Sequence, residues 1–361
     1  MFCPDDGCPS GQPGQGQLAS GAVRTTPFLP DQLKAEDFLI LPQVLGKGAS
    51  ATVKLAIHRP TQTQYAVKRV SLTPAASSTT LQQAQTELSL QEALAHPQLL
   101  QVFGHFTDDA CLNLVLELVP GQTLFSLIQK GLDETQARPL FRQVCLGLQH
   151  LHAQSITHRD VKPENILVDS QRRVKLCDFG CAIRGTALQF KVSGTLEYLA
   201  PEVLLEEGAS NKVDCWALGV LLFEMLHGRS PFKGPSDFYT ARKIIKARAV
   251  FTSAISTEAR ELVTALLERD PAKRPSVAEV LRHPWLQEET LFSERTTADA
   301  SPLLPPQTAR QPPRKKMSNL RAQMLLEERE AELLRLQQAL EAPQVPQKPV
   351  SWFRSLFRRL M

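Results

Sequence analysis

A chain of 361 residues is long enough for one large domain or two small ones around a sizeable core. Its 42% hydrophobic and 22% charged residues are ordinary for a soluble globular protein, and a net charge of +4 gives no argument for nucleic acid as a partner. No run approaches the roughly 18 apolar residues of a membrane span, and "MFCPDDGCPSGQPGQGQ" lacks the apolar core of a secretory signal. Seven irregularly spaced cysteines suit a reducing cytosolic or nuclear setting rather than a disulfide framework. Cys3 and Cys8 offer only half of a tetrahedral metal site.

Residues 1–35 are rich in Gly, Pro, Gln and Ser, and the composition predicts disorder. From Phe38 the pattern turns to strands. "TVKLAI" (Thr52 to Ile57) and "YAVKRV" (Tyr65 to Val70) flank a polar turn and read as a hairpin, and "LNLVLELV" reads as a further strand. Between them a capping box of Thr80 and Gln83 predicts a helix running to about Ala95, ahead of Pro97. After Gly121 the spacing of Leu140, Val144, Leu148 and Leu151 is helical, with Pro139 removing one backbone bond early in that helix. A strand-rich first part and a helix-rich second part predict an α+β protein of two lobes with a cleft between them. Residues 287–316 read as a Pro-rich linker and 317–342 as a helix dense in Leu, Glu and Arg. The final segment, 343–361, ends in "SWFRSLFRRLM". There Phe353, Leu356, Phe357 and Leu360 share one helical face and Arg354, Arg358 and Arg359 another, which suits docking on the domain or a partner slightly better than weak membrane binding.

Several stretches carry chemistry. "GKGASATV" (Gly46 to Val53) lies between two strands, where glycines let backbone amides approach phosphate oxygens, although such a pair in a hairpin is more often a plain turn. Lys68 stands inside a strand among apolar neighbours and needs a counter-charge, which Glu87 on the capped helix can supply; the alternative is an exposed lysine on an edge strand. "THRDVKPENILV" and "CDFG" contribute Asp160, Asn165 and Asp178, oxygen ligands of the kind that hold magnesium on substrate phosphates. His158 and Asp160 are too close along one loop to face each other as a hydrolase pair, and no Gly-x-Ser-x-Gly turn supplies a nucleophile.

In chain order these stretches are joined by "APE" (Ala200 to Glu202), "DCWALG" (Asp214 to Gly219), "RDPAKRPS" with Arg274, and "HPW" (His283 to Trp285). Together they resemble a eukaryotic protein kinase over residues 36–286, of serine/threonine type from Lys162 and Thr195, with local likeness to Aurora kinases in "GTLEY" and Gln91. The resemblance implies a bilobal fold and an ATP- and magnesium-dependent transfer of a phosphoryl group to protein hydroxyls, in intracellular signalling. It implies that the loop Leu45, Gly46, Lys47, Gly48, Ala49, Ser50, Ala51, Thr52 and Val53 covers the nucleotide. Lys68 paired with Glu87 would hold the α- and β-phosphates, Asp178 and Asn165 the metal, and Lys162 the γ-phosphate, with Asp160 orienting the acceptor hydroxyl. Val53, Ala66 and Leu167 would sandwich the adenine, Glu117 and Val119 would meet its edge, and Leu116 would guard the deeper pocket. Glu202 with Arg274 would form a buried pair, and Asp214 would fix the catalytic loop. Glu164 and Glu224 stand where related kinases contact an arginine of the substrate, implying basic-directed protein substrates.

Three departures qualify the pattern. Ala51 replaces a third loop glycine. Gln91 replaces an aliphatic residue one turn after Glu87, leaving that helix open to an activating partner that pins it. Lys191 stands where Aurora-like kinases carry a phosphothreonine answering the arginine equivalent to Arg159; Thr186 and Ser193 remain as candidate phosphosites. The competing function is a kinase-shaped scaffold acting through its C-terminal tail, against which every charged member of the phosphoryl-transfer template is present.

Overall fold

The computed structural model describes residues 29, 32–48, 51–72, 78–91, 94–108, 110–185, 195–252 and 254–287, without the side chains of 78–83 and 86. All belong to the first of two compact units, Met1–Ala298; the second, Asp299–Met361, lies outside them, as do residues 288–316 of the expected linker, the tail helix and the basic C-terminus. The Cys3/Cys8 pair and most of the expected disordered tail of residues 1–35 also fall outside the described residues; at its end the expectation fails, because Leu33 is buried against the sheet and Ala35 opens a 3-10 turn.

Five strands, β1 (Phe38–Lys47), β2 (Ala51–His58), β3 (Thr63–Ser71), β4 (Val102–Thr107) and β5 (Cys111–Leu116), form an antiparallel sheet in the order β1-β2-β3-β5-β4. The expected hairpin is β2 with β3, from Ala51 opposite Val70 to His58 opposite Thr63. Period-two alternation along β3 divides the small lobe into two layers. Tyr65 and Val67 pack outward with Phe38, Ala56, Phe106 and Leu33. Ala66 and Val70 pack inward with Leu112, Leu114 and Leu116, beneath a helix α1 (Ser78–Gln91) that contributes Ala84. Because β3 is central, Lys68 is not on an edge strand.

Two boundaries differ from expectation. Helix α1 already includes Ser78 and ends at Gln91, so Thr80 lies inside it rather than capping it, and the helix stops short of Ala95. The segment around His96 is instead pinned as a loop: Leu100 N–H bonds Leu176 O and Leu176 N–H bonds Gln98 O. The "LNLVLELV" strand ends at Leu116, where the chain leaves the sheet.

The second lobe begins with a short strand β6 (Gly121–Thr123) and helix α2 (Leu124–Gln129). A Cβ on Gly121 would sit 2.1 Å from Val168 O, so only glycine lets β6 lie against β8 (Ile166–Asp169). Helix α3 (Glu134–Ala153) opens on a capping box of Asp133 and Gln136. Its stripe Leu140, Val144, Leu148 and Leu151 is fully buried, and the helix runs on through Pro139. Strand β7 (Ile156–Thr157) pairs with β10 (Ile183–Arg184), and β9 (Val174–Leu176) completes the small sheet with β8. Helices α4 (Pro201–Leu204), α5 (Lys212–His227), α6 (Asp237–Lys246), α7 (Thr257–Leu266) and α8 (Val277–Val280) finish the lobe. Helix α5 is its central rod, buried continuously from Val213 to Met225.

The expected buried pair ties these helices together. Arg274 reaches Glu202 with Nη1 to Oε1 at 2.8 Å and Nη2 to Oε2 at 3.1 Å, and also donates to the carbonyls of Lys212 and Glu268. Both side chains are almost wholly buried, and the guanidinium stacks over Trp216. Removing one partner strands a charge in the core. Arg274→Met should therefore lower unfolding free energy by about 3–5 kcal/mol in denaturant titrations. The double variant Glu202→Leu with Arg274→Met should recover part of that loss.

Candidate active site

The inward face of β3 brings Lys68 under α1. Its Nζ lies 2.5 Å from Glu87 Oε2 and 3.1 Å from Asp178 Oδ1, so groups from β3, α1 and the loop after β9 meet at one point. Burial alone would lower the ammonium's pKa, but the two carboxylates outweigh it and hold Lys68 charged. Burial likewise works against the Asp178 carboxylate, and Lys68 more than compensates, keeping its pKa below the usual range. Asp178 remains half-exposed toward the cleft and sits at φ +64, a left-handed conformation that a non-glycine residue adopts only when its surroundings hold it.

The catalytic loop is fixed from below. Asp214, fully buried in the first turn of α5, accepts the N–H of His158 at 2.9 Å and of Arg159 at 2.8 Å, and bonds His152 Nε2 at 2.8 Å. Burial disfavours its charge, yet these donors hold its pKa below the ordinary carboxylate value. Arg159 is thereby kept at φ +66. His158 is a scaffold group: Nδ1 accepts the Asp160 N–H at 3.3 Å, and its ring meets Phe179 edge-on. Burial pushes its pKa down in spite of the nearby carboxylates, so it is neutral.

Asp160 stands at the end of this chain of supports. Its Oδ2 accepts from Lys162 Nζ and Asn165 Nδ2, each at 2.8 Å, and its Oδ1 from the Thr195 N–H at 3.3 Å. Lys162 also donates to Thr195 Oγ1 at 2.9 Å. Because Asn165 donates through Nδ2 to both Asp160 O and Asp160 Oδ2, its amide oxygen is the atom left for a cation. With Asp178 that makes an all-oxygen donor set of the kind magnesium takes when phosphates complete its shell.

Above this cluster, Ala66 and Leu116 share one apolar group with Val53, Val119, Leu167 and Cys177. Leu45, Gly46, Lys47, Gly48, Ala51 and Thr52 lie on or beside β1 and β2, while Ala49 and Ser50 fall outside the described residues. Thr186, Lys191 and Ser193 also fall outside them. Arg159 donates through Nε to Cys181 O at 2.8 Å and lines a small cavity with Thr195, Tyr198 and Val203. Gln91, almost fully buried, donates to Leu100 O at 3.2 Å while its Oε1 has no partner among the described residues, a half-satisfied amide at the base of α1.

Three contacts were not foreseen from the sequence: His152 on Asp214, Lys175 on Glu117, and Tyr198 donating to Glu224. The last changes the expected role of Glu224. Its carboxylate is buried and already occupied, whereas Glu164 is exposed. Burial raises the Glu224 pKa, the bond from Tyr198 opposes that, and Glu164 and Glu197 add to the rise.

The protein kinase domain model matches residues 40–286. Aurora kinase B of Mus musculus is 32% identical over 277 residues, spanning 76% of this chain and 79% of the relative. Aurora kinase of Eremothecium gossypii is 34% identical over 282 residues, with 77% and 76% covered. That of Dictyostelium discoideum is 34% identical over 248 residues, with 68% and 65% covered. The chain belongs to the protein kinase family. Within it the chain is a protein serine/threonine kinase with Aurora-like resemblance, and the family as a whole uses ATP and magnesium.

Asp214 provides a test of the site's foundation. Asp214→Asn presents an amide to two backbone N–H donors and should cost about 1.5–3 kcal/mol of stability at neutral pH. The native pKa of Asp214 is depressed, so its contribution is present above the ordinary carboxylate value and lost as pH falls through the lower native one. Denaturation curves of wild type and variant should therefore separate at neutral pH and converge in acid.

Proposed function

We propose that this site transfers the γ-phosphoryl group of ATP to serine or threonine hydroxyls of protein substrates. The observation that carries the reading is the meeting of Lys68, Glu87 and Asp178 within 3.1 Å beside the held Asp160 carboxylate. Phosphoryl transfer spreads charge over the equatorial oxygens, so the protein's work is positioning and neutralisation. Lys68, kept charged and straightened by Glu87, binds the α- and β-phosphates. Asp178 and the Asn165 amide oxygen would hold magnesium, which would supply charge neutralisation for the nucleotide phosphates. Lys162 reaches the transferring group. Asp160, fixed by three donors, orients the acceptor hydroxyl and takes its proton. The apolar group of Val53, Ala66 and Leu167 takes the adenine, with the backbone of Glu117 and Val119 at its edge.

Substrates with a basic residue ahead of the acceptor fit the carboxylate of exposed Glu164, since that of Glu224 is buried and taken by Tyr198. In a peptide array the preference for Arg before the acceptor should weaken in Glu164→Gln; an array without any such preference would refute this part. The half-satisfied Gln91 supports a role for a partner that steadies α1.

Transfer from γ-labelled ATP to protein separates a catalyst from a kinase-shaped scaffold. Asp160→Asn should lower kcat by about 10²–10⁴, and Asp178→Asn should abolish magnesium-dependent incorporation. Equal incorporation in wild type and both variants would refute catalysis at this site.

A further inference from the structure

Between the end of β5 at Leu116 and the start of β6 at Gly121 the chain belongs to no strand, so the sheet does not set the position of Glu117 and Val119. Something else must. Lys175 Nζ on β9 lies 2.7 Å from Glu117 Oε2, and it also reaches Leu99 O at 3.5 Å. Glu117 is held on its other side by the loop leading into β4: its N–H bonds Gln101 O at 2.9 Å, and its Oε2 accepts the Gln101 N–H at 3.4 Å. That loop is itself fastened to the second lobe. Leu100 and Gln98 bond Leu176, and His96 stacks on His150 of α3 with ring centroids 4.6 Å apart. Lys175 is therefore the cation at which the interlobe segment, the loop after α1 and β9 join. Its register partner on β8 is Leu167, a member of the apolar group in the cleft.

We propose that Lys175 is a positioning residue for nucleotide recognition, holding Glu117 so that its backbone carbonyl faces the 6-amino group of adenine. Lys175 acts through the Glu117 carboxylate, whose main chain follows its side chain into place. The inference rests on the proposed assignment of Glu117 and Val119 to the adenine edge. The test is chosen so that the two can fail separately.

Displacement of a fluorescent ATP analogue from the full-length chain by adenosine, and by purine riboside, which lacks the 6-amino donor, reads this edge directly. Wild type should prefer adenosine. Lys175→Met should weaken adenosine by about threefold to fivefold, as expected for a partly exposed ion pair, and shrink its preference over purine riboside, while Lys175→Arg retains it. Glu117→Gln should behave like Lys175→Met, and the double variant should be no worse than either. Equal affinity of wild type for the two nucleosides would overturn the adenine-edge assignment and the inference with it. A wild-type preference that Lys175→Met leaves intact would overturn the inference alone. So would equal weakening of both nucleosides together with a lowered Tm, which would make Lys175 a stabilising residue without a role in recognition.

Discussion

The ion cluster of Lys68, Glu87 and Asp178 is the constraint on which the site depends. It gathers groups from a strand, a helix and a loop at one point. A lysine among apolar neighbours would be driven toward its neutral form by burial; two carboxylates reverse that and keep the cation where phosphate would meet it. The dependence runs the other way too. Glu87 is almost fully buried, so displacing α1 would expose the sheet's inner layer and leave Lys68 with only the half-exposed Asp178. Because α1 also rests on the half-satisfied Gln91, the helix that completes the site is less tightly secured than the strands beneath it.

The second lobe supplies rigidity of a different kind. Asp214 is buried far from solvent and converts three hydrogen bonds into the conformation of the catalytic loop, including a left-handed Arg159 that would otherwise be strained. Asp214 belongs to α5, the buried rod of the lobe, and Arg274 ties the start of that rod to Glu202. The position of the Asp160 carboxylate is thus inherited from the core, and flexible groups such as Lys162 are arranged around it.

Much of this was legible in the sequence because the informative residues lie in short stretches with fixed spacing. The β2–β3 hairpin, the stripe on α3, the Lys68–Glu87 pairing and the Glu202–Arg274 pair all followed from periodicity, charge or family likeness. What was not legible depends on contacts between segments far apart in the chain. His152 on Asp214, Lys175 on Glu117 and Tyr198 on Glu224 carry no local signature, and the last pair removes a carboxylate that the family pattern offers to substrate. The start of α1 was misplaced because a Thr-x-x-Gln pattern also occurs inside helices, and its end because tertiary bonds to Leu176 take the chain out of the helix before Pro97 does. The short strand β6 escaped because its identity rests on one close backbone approach at Gly121.

That the cluster acts as one unit is the claim on which the rest stands. A double-mutant cycle on Lys68→Met and Glu87→Gln, read as the affinity for ADP in the presence of magnesium, measures it directly. If Glu87 works only through Lys68, each single variant weakens nucleotide binding and the double variant binds no more weakly than Lys68→Met alone. Losses that simply add would contradict the account, because they would mean that the two charges act independently.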